Sequence, residues 1–254
     1  MAAFLEDVKI IENICLGSRY YLLKVKSEKI IKEIKAGQFC MIKPLDNALI
    51  LRRPISIHNI DKENGVLEFY YETVGKGTKE LSTLKAGDII NIQGPLGEGF
   101  SINIKDKKIA IIGGGMGIAP LKELIKQVNK ENKVVFIAGG RDKYAFEILK
   151  NINFKNTIVV SDDGSIGEKK NTVEKLKEIL EKENINMIFT CGPHIMMEKV
   201  AEVAHKNNIY CEVSLEERMG CGTGACMGCS IETTKGMKKV CKDGPVFNSK
   251  EVIK

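Results

Sequence analysis

The stretch Ile109-Ala110-Ile111-Ile112-Gly113-Gly114-Gly115-Met116-Gly117-Ile118-Ala119-Pro120 decides the reading of the fold. Four apolar residues in a row, with no polar alternation, are the pattern of a parallel strand buried on both faces. The glycines predict a tight turn, and Pro120 suits the first turn of a helix. A stripe at Leu121, Leu124, Ile125 and Val128 then continues at helical spacing. Strand, glycine loop and helix in this order form a unit that can receive a dinucleotide diphosphate at a sheet's C-terminal edge. The run is not a strict G-x-G-x-x-G, so its weight comes from its place after a buried strand.

Working outward, Val134–Ala138, Thr157–Ser161, Met187–Thr190 and Tyr210–Val213 read as further strands. Apolar stripes at Val173, Leu176 and Leu180, and at Met196, Val200 and Val203, predict helices between them. The alternation predicts a Rossmann-like α/β domain with an open parallel sheet over residues 103–213. Thr190-Cys191-Gly192-Pro193 closes one strand at the edge where such sheets bind ligands. Cys191 is either a small buried hydrophobe there or a neighbour of the ligand. Upstream, residues 1–102 show short β-rich runs at Tyr20–Val25, Phe39–Ile42, Val66–Tyr71 and Ile89–Ile92. Turn signals separate them, as at Lys35-Ala36-Gly37 and Gly94-Pro95-Leu96-Gly97, which predicts a small antiparallel β-barrel or sandwich. Residues 214–254 are loop-dominated and too few for a core, so something covalent or metallic should hold them.

The chain has eight cysteines, and four of them fall between Cys221 and Cys241. The N-terminus lacks the basic start and apolar run of a signal peptide, so a cytoplasmic chain with free thiols is expected rather than a disulfide framework. Cys15, Cys40 and Cys211 read as plain buried thiols. The four near the C-terminus follow Cys221-x4-Cys226-x2-Cys229-x11-Cys241, the plant-type [2Fe–2S] spacing. Gly220, Gly222, Gly224 and Gly228 would let the backbone wrap closely and aim N–H groups at sulfur. A structural zinc site is the competing reading, but it usually shows two close cysteine pairs at a distance, not three cysteines in one loop and a lone fourth.

The net charge of +6 is spread along the chain and includes only five arginines, a lysine-rich surface rather than a nucleic-acid footprint. No apolar run approaches the roughly 20 residues of a membrane helix. Two arginines stand in Arg52-Arg53-Pro54-Ile55-Ser56-Ile57, at the start of a β segment. An arginine there is usually a solvated charge. The functional reading pairs Arg53 with a pyrophosphate and gives Ser56 a hydrogen bond to a flavin ring. Gly75-Lys76-Gly77-Thr78-Lys79 reads as a glycine turn opening a helix, where free N–H groups can hold phosphate. Tyr70 and Tyr71 lie on the preceding strand and face opposite sides, so one of them could stack on a ring or support the site.

Barrel with R-P-x-S, strand with G-G-G-x-G-x-A-P, then C-G-P: in this order the motifs resemble the ferredoxin–NADP reductase superfamily, over residues 5–213. That resemblance implies FAD on the barrel at Arg53, Pro54, Ile55 and Ser56. It implies NAD on the second domain, at Gly113, Gly114, Gly115, Gly117, Pro120, Cys191, Gly192 and Pro193. Ile55 departs from the pattern, because many members carry a flavin-stacking tyrosine there. Glu216–Cys229, Val240–Phe247 and Asp162-Asp163-Gly164-Ser165-Ile166-Gly167 are similar to the electron-transfer subunits of class 1B dihydroorotate dehydrogenases. This narrower resemblance implies further FAD contacts at Tyr70, Tyr71, Glu72, Gly77 and Thr78. It also implies a separate FMN-containing catalytic subunit, in a heterotetramer of two each, serving pyrimidine biosynthesis. The small subunits of NADH-dependent ferredoxin–NADP oxidoreductases and sulfide dehydrogenases are similar too. They commonly carry an aspartate in place of the first cluster cysteine, and this chain has Cys221.

Nicotinamide exchanges electrons in pairs and a [2Fe–2S] cluster singly, and a flavin converts between the two. Three such sites in one chain therefore make a circuit, with Cys191 expected beside the nicotinamide as the catalytic residue. Residues for C–H abstraction from dihydroorotate are not found, and a TIM-barrel catalytic domain would need about 250 more residues. Two alternatives stand beside this reading: a ferredoxin-linked reductase subunit, and a zinc-stapled nucleotide-binding regulator. NAD and NADP are not separated, since Asp142 could take a ribose hydroxyl while Arg141 and Lys143 could accept a phosphate.

Overall fold

The computed structural model describes residues 3–46, 48–141 and 143–253, so Asp142 lies outside the described residues. Two compact units are present. The first holds the residues up to Phe100, Glu216–Ile231 and Lys238–Pro245. The second holds Ser101–Leu215, Glu232–Met237 and the residues from Val246 on.

The first unit is built on a closed antiparallel barrel. Its strands are β1 (Phe4–Gly17), β2 (Tyr20–Lys26), β3 (Phe39–Ile42), β4 (Arg53–Asp61), β5 (Val66–Glu72) and β6 (Ile89–Leu96), in the order β1-β2-β5-β4-β3-β6. Alternate residues point inward and form one core, among them Val8, Ile10, Leu23, Val25, Leu67, Phe69, Tyr71, Ile90 and Ile92. Closure removes the exposed edges that an open sheet would present. A single turn, α1 (Ile30–Glu33), follows β2 and has no side-chain cap of its own. Glu6, on β1, serves instead: its carboxylate accepts the N–H groups of Glu28 (2.6 Å), Lys29 (3.1 Å) and Ile30 (3.1 Å) and the Ser27 hydroxyl (2.8 Å). A second short helix, α2 (Lys76–Leu81), precedes β6. The Asn13 side-chain amide donates to the Leu81 and Leu84 carbonyls at 2.9 and 3.0 Å, and accepts from the Tyr71 hydroxyl at 3.0 Å.

The second unit is the doubly wound part. Strands β7 (Lys108–Gly114), β8 (Lys133–Gly140), β9 (Thr157–Ser161), β10 (Glu168–Lys169), β11 (Met187–Cys191) and β12 (Tyr210–Ser214) form a parallel sheet in the order β10-β9-β8-β7-β11-β12. Helices α3 (Leu121–Val128), α4 (Leu149–Ile152), α5 (Thr172–Lys182) and α6 (His194–Lys206) accompany it. Two stripes differ in phase from the sequence expectation. On α5, Thr172, Leu176 and Ile179 are buried, whereas Val173 and Leu180 are half-exposed. Asn171 fixes that phase by accepting the Val173 and Glu174 N–H groups while Glu174 returns the bond, a capping box. On α6 Met197 and the small Ala201 and Ala204 join Val200 and Val203 in the core, and Met196 is only half-buried.

After β12 the chain forms the cysteine loop, a hairpin of β13 (Ser230–Thr233) and β14 (Gly236–Lys239), and the turn α7 (Val240–Asp243). It then adds β15 (Val246–Asn248) antiparallel to β12, and ends its regular structure with α8 (Ser249–Val252). Among the described residues no helix is long and apolar enough to cross a membrane.

Candidate cofactor and cluster sites

The cysteine loop belongs to the barrel unit. Its backbone is held in left-handed conformations at Gly222 (φ +72°), Gly224 (φ +83°) and also Met227 (φ +61°), a region costly for residues with a Cβ. These turns fold N–H groups toward sulfur. Cys221 Sγ accepts from the Thr223 and Cys226 backbones, both at 3.4 Å, and Cys229 Sγ accepts from the Cys241 N–H at 3.4 Å. Cys229 and Cys241 are buried, Cys221 is half-buried and Cys226 is exposed. Lys239 closes the loop by donating its Nζ to the Gly224 carbonyl at 3.0 Å, while its N–H donates to Asp243 at 2.7 Å. The Gly244-Pro245 segment docks on the barrel through the Glu98 N–H, which donates to the Gly244 carbonyl at 2.5 Å.

The thiols are electrostatically unlike. Burial raises Cys221, but the Cys226 and Thr223 hydrogen bonds outweigh it and bring that thiol down to about 6. Burial, and then the neighbouring Cys229 thiol, push Cys241 up to about 12. Crowded thiols resist joint ionisation until a cation sits among them, so this donor set suits an iron centre. Among the described residues no three His, Cys, Asp or Glu side chains gather as around one metal ion. A [2Fe–2S] cluster asks instead for two thiolates on each of two irons.

On the barrel, Arg53, Gly77 and Thr78 come together. A Cβ on Gly77 would stand 2.5 Å from Arg53 Nε, so the guanidinium lies directly on the α2 backbone and a side chain at Gly77 would displace it. The Arg53 guanidinium donates to the Leu51 carbonyl, and among the described residues no carboxylate pairs with it. A small cavity beside it is lined by Pro44, Leu45, Gly77 and Glu80. The Thr78 hydroxyl is committed to its own turn, accepting the Val74 and Gly75 N–H groups at 3.0 and 3.2 Å. Pro54 and Ser56 face outward from β4, while Ile55 packs against the barrel core. Tyr70 is buried beside Tyr20 and His58. Tyr71 lies in the barrel core with its hydroxyl on Asn13, so it supports α2 and presents no face to a flavin. Glu72 pairs with Arg19 at 2.5 Å. A diphosphate fits this arrangement, with a half-buried guanidinium packed on Gly77, held by the Leu51 carbonyl and, among the described residues, not paired with a carboxylate.

In the second unit the two glycine loops interlock. Gly113 lies under Ile118 and Leu121, where a Cβ would meet side-chain carbons at 2.8 and 2.9 Å. Gly114 lies under Met196, and Gly117 rests on the Cys191–Gly192 peptide. Gly115 differs, with φ +54° and open space around its Cβ position. Residues Gly115–Ile118 form a single 3₁₀ turn, and Pro120 stands at the N-cap of α3. Cys191 is 1% exposed and Gly192 half-buried, so they form the floor of this edge, with Pro193 exposed beside them. Arg141 and Lys143 are exposed at the end of β8, tied to the next loop through the Asp163 N–H and the Ser165 hydroxyl. Sequence reasoning missed Glu6 and Asn13, whose roles depend on distant partners, the turn before α1 and the end of α2.

Comparison with known proteins extends this geometry. Residues 7–100 match the oxidoreductase FAD-binding domain, and residues 216–253 match the iron-sulfur cluster binding domain of dihydroorotate dehydrogenase B. Among solved structures, that of an NADH-dependent reduced ferredoxin–NADP oxidoreductase aligns with a TM-score of 0.85 at 28% identity, covering 96% of this chain and 89% of the other. A ferredoxin NADP+ reductase from Neisseria gonorrhoeae shares the fold at 16% identity and a TM-score of 0.67, over 81% and 92% of the two chains. The chain is 36% identical over 257 residues to the dihydroorotate dehydrogenase B (NAD(+)) electron transfer subunit of Desulforamulus reducens, covering 97% of each. With that of Clostridium acetobutylicum the identity is 39% over 247 residues, covering 96% of each, and the chain therefore belongs to the family of dihydroorotate dehydrogenase B electron transfer subunits.

Proposed function

We propose that this chain carries electrons from a dihydroorotate-oxidising partner to NAD⁺, holding a [2Fe–2S] cluster on Cys221, Cys226, Cys229 and Cys241 and FAD on the barrel. The observation that carries the reading is the cysteine loop seated in the FAD-type barrel unit, its thiols served by backbone N–H groups. When bound, the flavin supplies the exchange between hydride and single-electron chemistry. The chain's own residues do the rest. Arg53 binds the FAD diphosphate over Gly77, and Ser56 orients the ring from the outward face of β4. Gly115 offers open backbone to the NAD diphosphate, while Cys191 and Gly192 form the floor beneath the nicotinamide. The partner is an FMN-containing catalytic subunit, joined in an assembly of two of each chain. Eight free thiols suit a reducing compartment, and we place the chain in the cytoplasm.

A second reading, a subunit of a ferredoxin–NADP oxidoreductase, draws on the 0.85 TM-score alignment. Cys221 and the higher identity to dihydroorotate dehydrogenase subunits favour the first. The test has two stages. Iron, sulfide and flavin analysis of anaerobically purified protein should give about two irons and two sulfides per chain; stoichiometric zinc without sulfide would end both readings. Alone, the chain should pass electrons from NADH to artificial acceptors. With the FMN subunit it should reduce NAD⁺ at the expense of dihydroorotate. If the isolated chain makes orotate, or if the pair neither associates nor reduces NAD⁺, the assignment fails.

A further inference from the structure

Met41 is the middle residue of a run in which Cys40 and Ile42 point into the barrel core. By alternation its side chain points out of the barrel, where solvent is the ordinary environment of a strand residue. It is nevertheless 0% exposed. What covers it is the cysteine loop: a Cβ on Gly222 would stand 2.7 Å from Met41 Cγ, 3.3 Å from its Sδ and 3.2 Å from Leu96 Cδ1. Gly222 immediately follows Cys221. On its other side, Met41 is the cross-strand partner of Pro54, and Phe39 on the same face partners Ser56. The Met41 backbone is also held, since Arg52 donates to its carbonyl at 3.3 Å and to the Asn91 carbonyl at 3.3 Å. One fixed side chain thus touches the cysteine loop beside Cys221 and neighbours the outward-facing pair Pro54 and Ser56.

We infer that Met41 is a positioning residue: its side chain seats the cysteine loop on the barrel face that presents Pro54 and Ser56, and so fixes the geometry at Cys221. The inference rests on the cluster assignment above and adds a residue outside every cysteine and glycine motif. The unbranched thioether suits the task, because it fills the irregular space beneath a glycine without demanding one shape.

The test uses the full chain as Met41→Ala, Met41→Leu, Gly222→Ala and the double variant Met41→Ala/Gly222→Ala. The readouts are the electron paramagnetic resonance spectrum of the dithionite-reduced protein and the rate of iron release to a chelator, with thermal unfolding and FAD content followed in parallel. Met41→Ala is expected to change the spectrum and speed iron release by roughly tenfold, since truncation empties a packed contact, with FAD content unchanged. Met41→Leu, similar in volume, should stay near the parent. Gly222→Ala crowds the same contact from the other side, and the double variant should release iron more slowly than Gly222→Ala alone, because the added Cβ enters the space Met41 left. Parental spectrum and release in Met41→Ala overturn the inference, as does a Met41→Leu effect equal to that of alanine, or simple additivity in the double variant. A parent with no reduced-cluster signal would instead refute the cluster assignment itself.

Discussion

In the cluster loop two glycines answer to backbone conformation: Gly222 and Gly224 have φ of +72° and +83°, Gly222 being crowded by Met41 as well, and Met227 shares that region at +61° despite its side chain. In the nucleotide unit, Gly113, Gly114 and Gly117 have ordinary φ and are required by what lies against them, whether Ile118, Met196 or the Cys191–Gly192 peptide. One sequence signal therefore has two physical meanings. A left-handed glycine wraps a loop around a ligand, whereas a crowded glycine brings two loops together at a sheet edge. Only Gly115, left-handed and open, belongs to the first kind within the second loop.

Substitutions can separate these cases and test whether each cofactor depends on its own unit alone. The largest effect is expected from Cys226→Ser, which should abolish iron and sulfide incorporation while NADH binding, measured by titration, persists. Lost NADH binding would mean the two loops are not independent. Next comes Arg53→Ala. The charge-assisted contact proposed between Arg53 and phosphate would be worth about 1.5–3 kcal/mol, so FAD affinity measured by calorimetry should fall roughly tenfold to a hundredfold with iron content intact. Unchanged affinity would show that the diphosphate binds elsewhere. Gly117→Ala should cost about 1–3 kcal/mol through crowding and weaken NADH binding. Gly115→Asn should fold nearly as the parent does, since asparagine tolerates the left-handed region. Equal losses in the two would erase the distinction between crowded and left-handed glycines.

The smallest effect lies in the barrel unit at Glu6. Burial raises its carboxyl, but the Glu28, Ile30 and Lys29 N–H groups and the Ser27 hydroxyl outweigh that and hold it below its ordinary value of 4.5. A carboxylate with a lowered folded pKa contributes stability above that ordinary value and loses it as pH falls through the folded one. Glu6→Gln should therefore cost a cap's worth of stability near neutral pH, about 1 kcal/mol, lower the melting temperature there, and flatten its decline in acid. An unchanged acid limb in Glu6→Gln would assign that decline to other groups.

Much of this was legible in the sequence. Ile109–Ile112 falls within β7, Phe39–Ile42 coincides with β3, and Leu121, Leu124, Ile125 and Val128 all bury on α3. The cysteine spacing marked the cluster loop, and Arg53 with Gly77 emerged from local motifs. What stayed hidden depends on distant partners. Strand β1 escaped because Glu6, Asp7 and Glu12 interrupt its apolar alternation and two bulges shift its register. Strand β15 is three residues long, and only pairing with β12 makes it a strand. The α5 face was misphased because Asn171, not the apolar count, sets where the helix begins. Met41 looked like an ordinary strand residue, because its cover arrives from Gly222.

That cover also arrives late in time. A ribosome delivers residues at about 5–20 per second, and N-terminal domains generally fold first. The strands of the barrel emerge before Ser101, yet the loop that shields Met41 and Leu96 emerges only after the whole of Ser101–Leu215. For roughly ten seconds the nascent barrel shows an apolar spot on its outer wall, with no cysteine loop yet made to close it. During that interval the young chain is open to chaperones and to wrong partners, and the cell's iron–sulfur supply can act only once the interval is over.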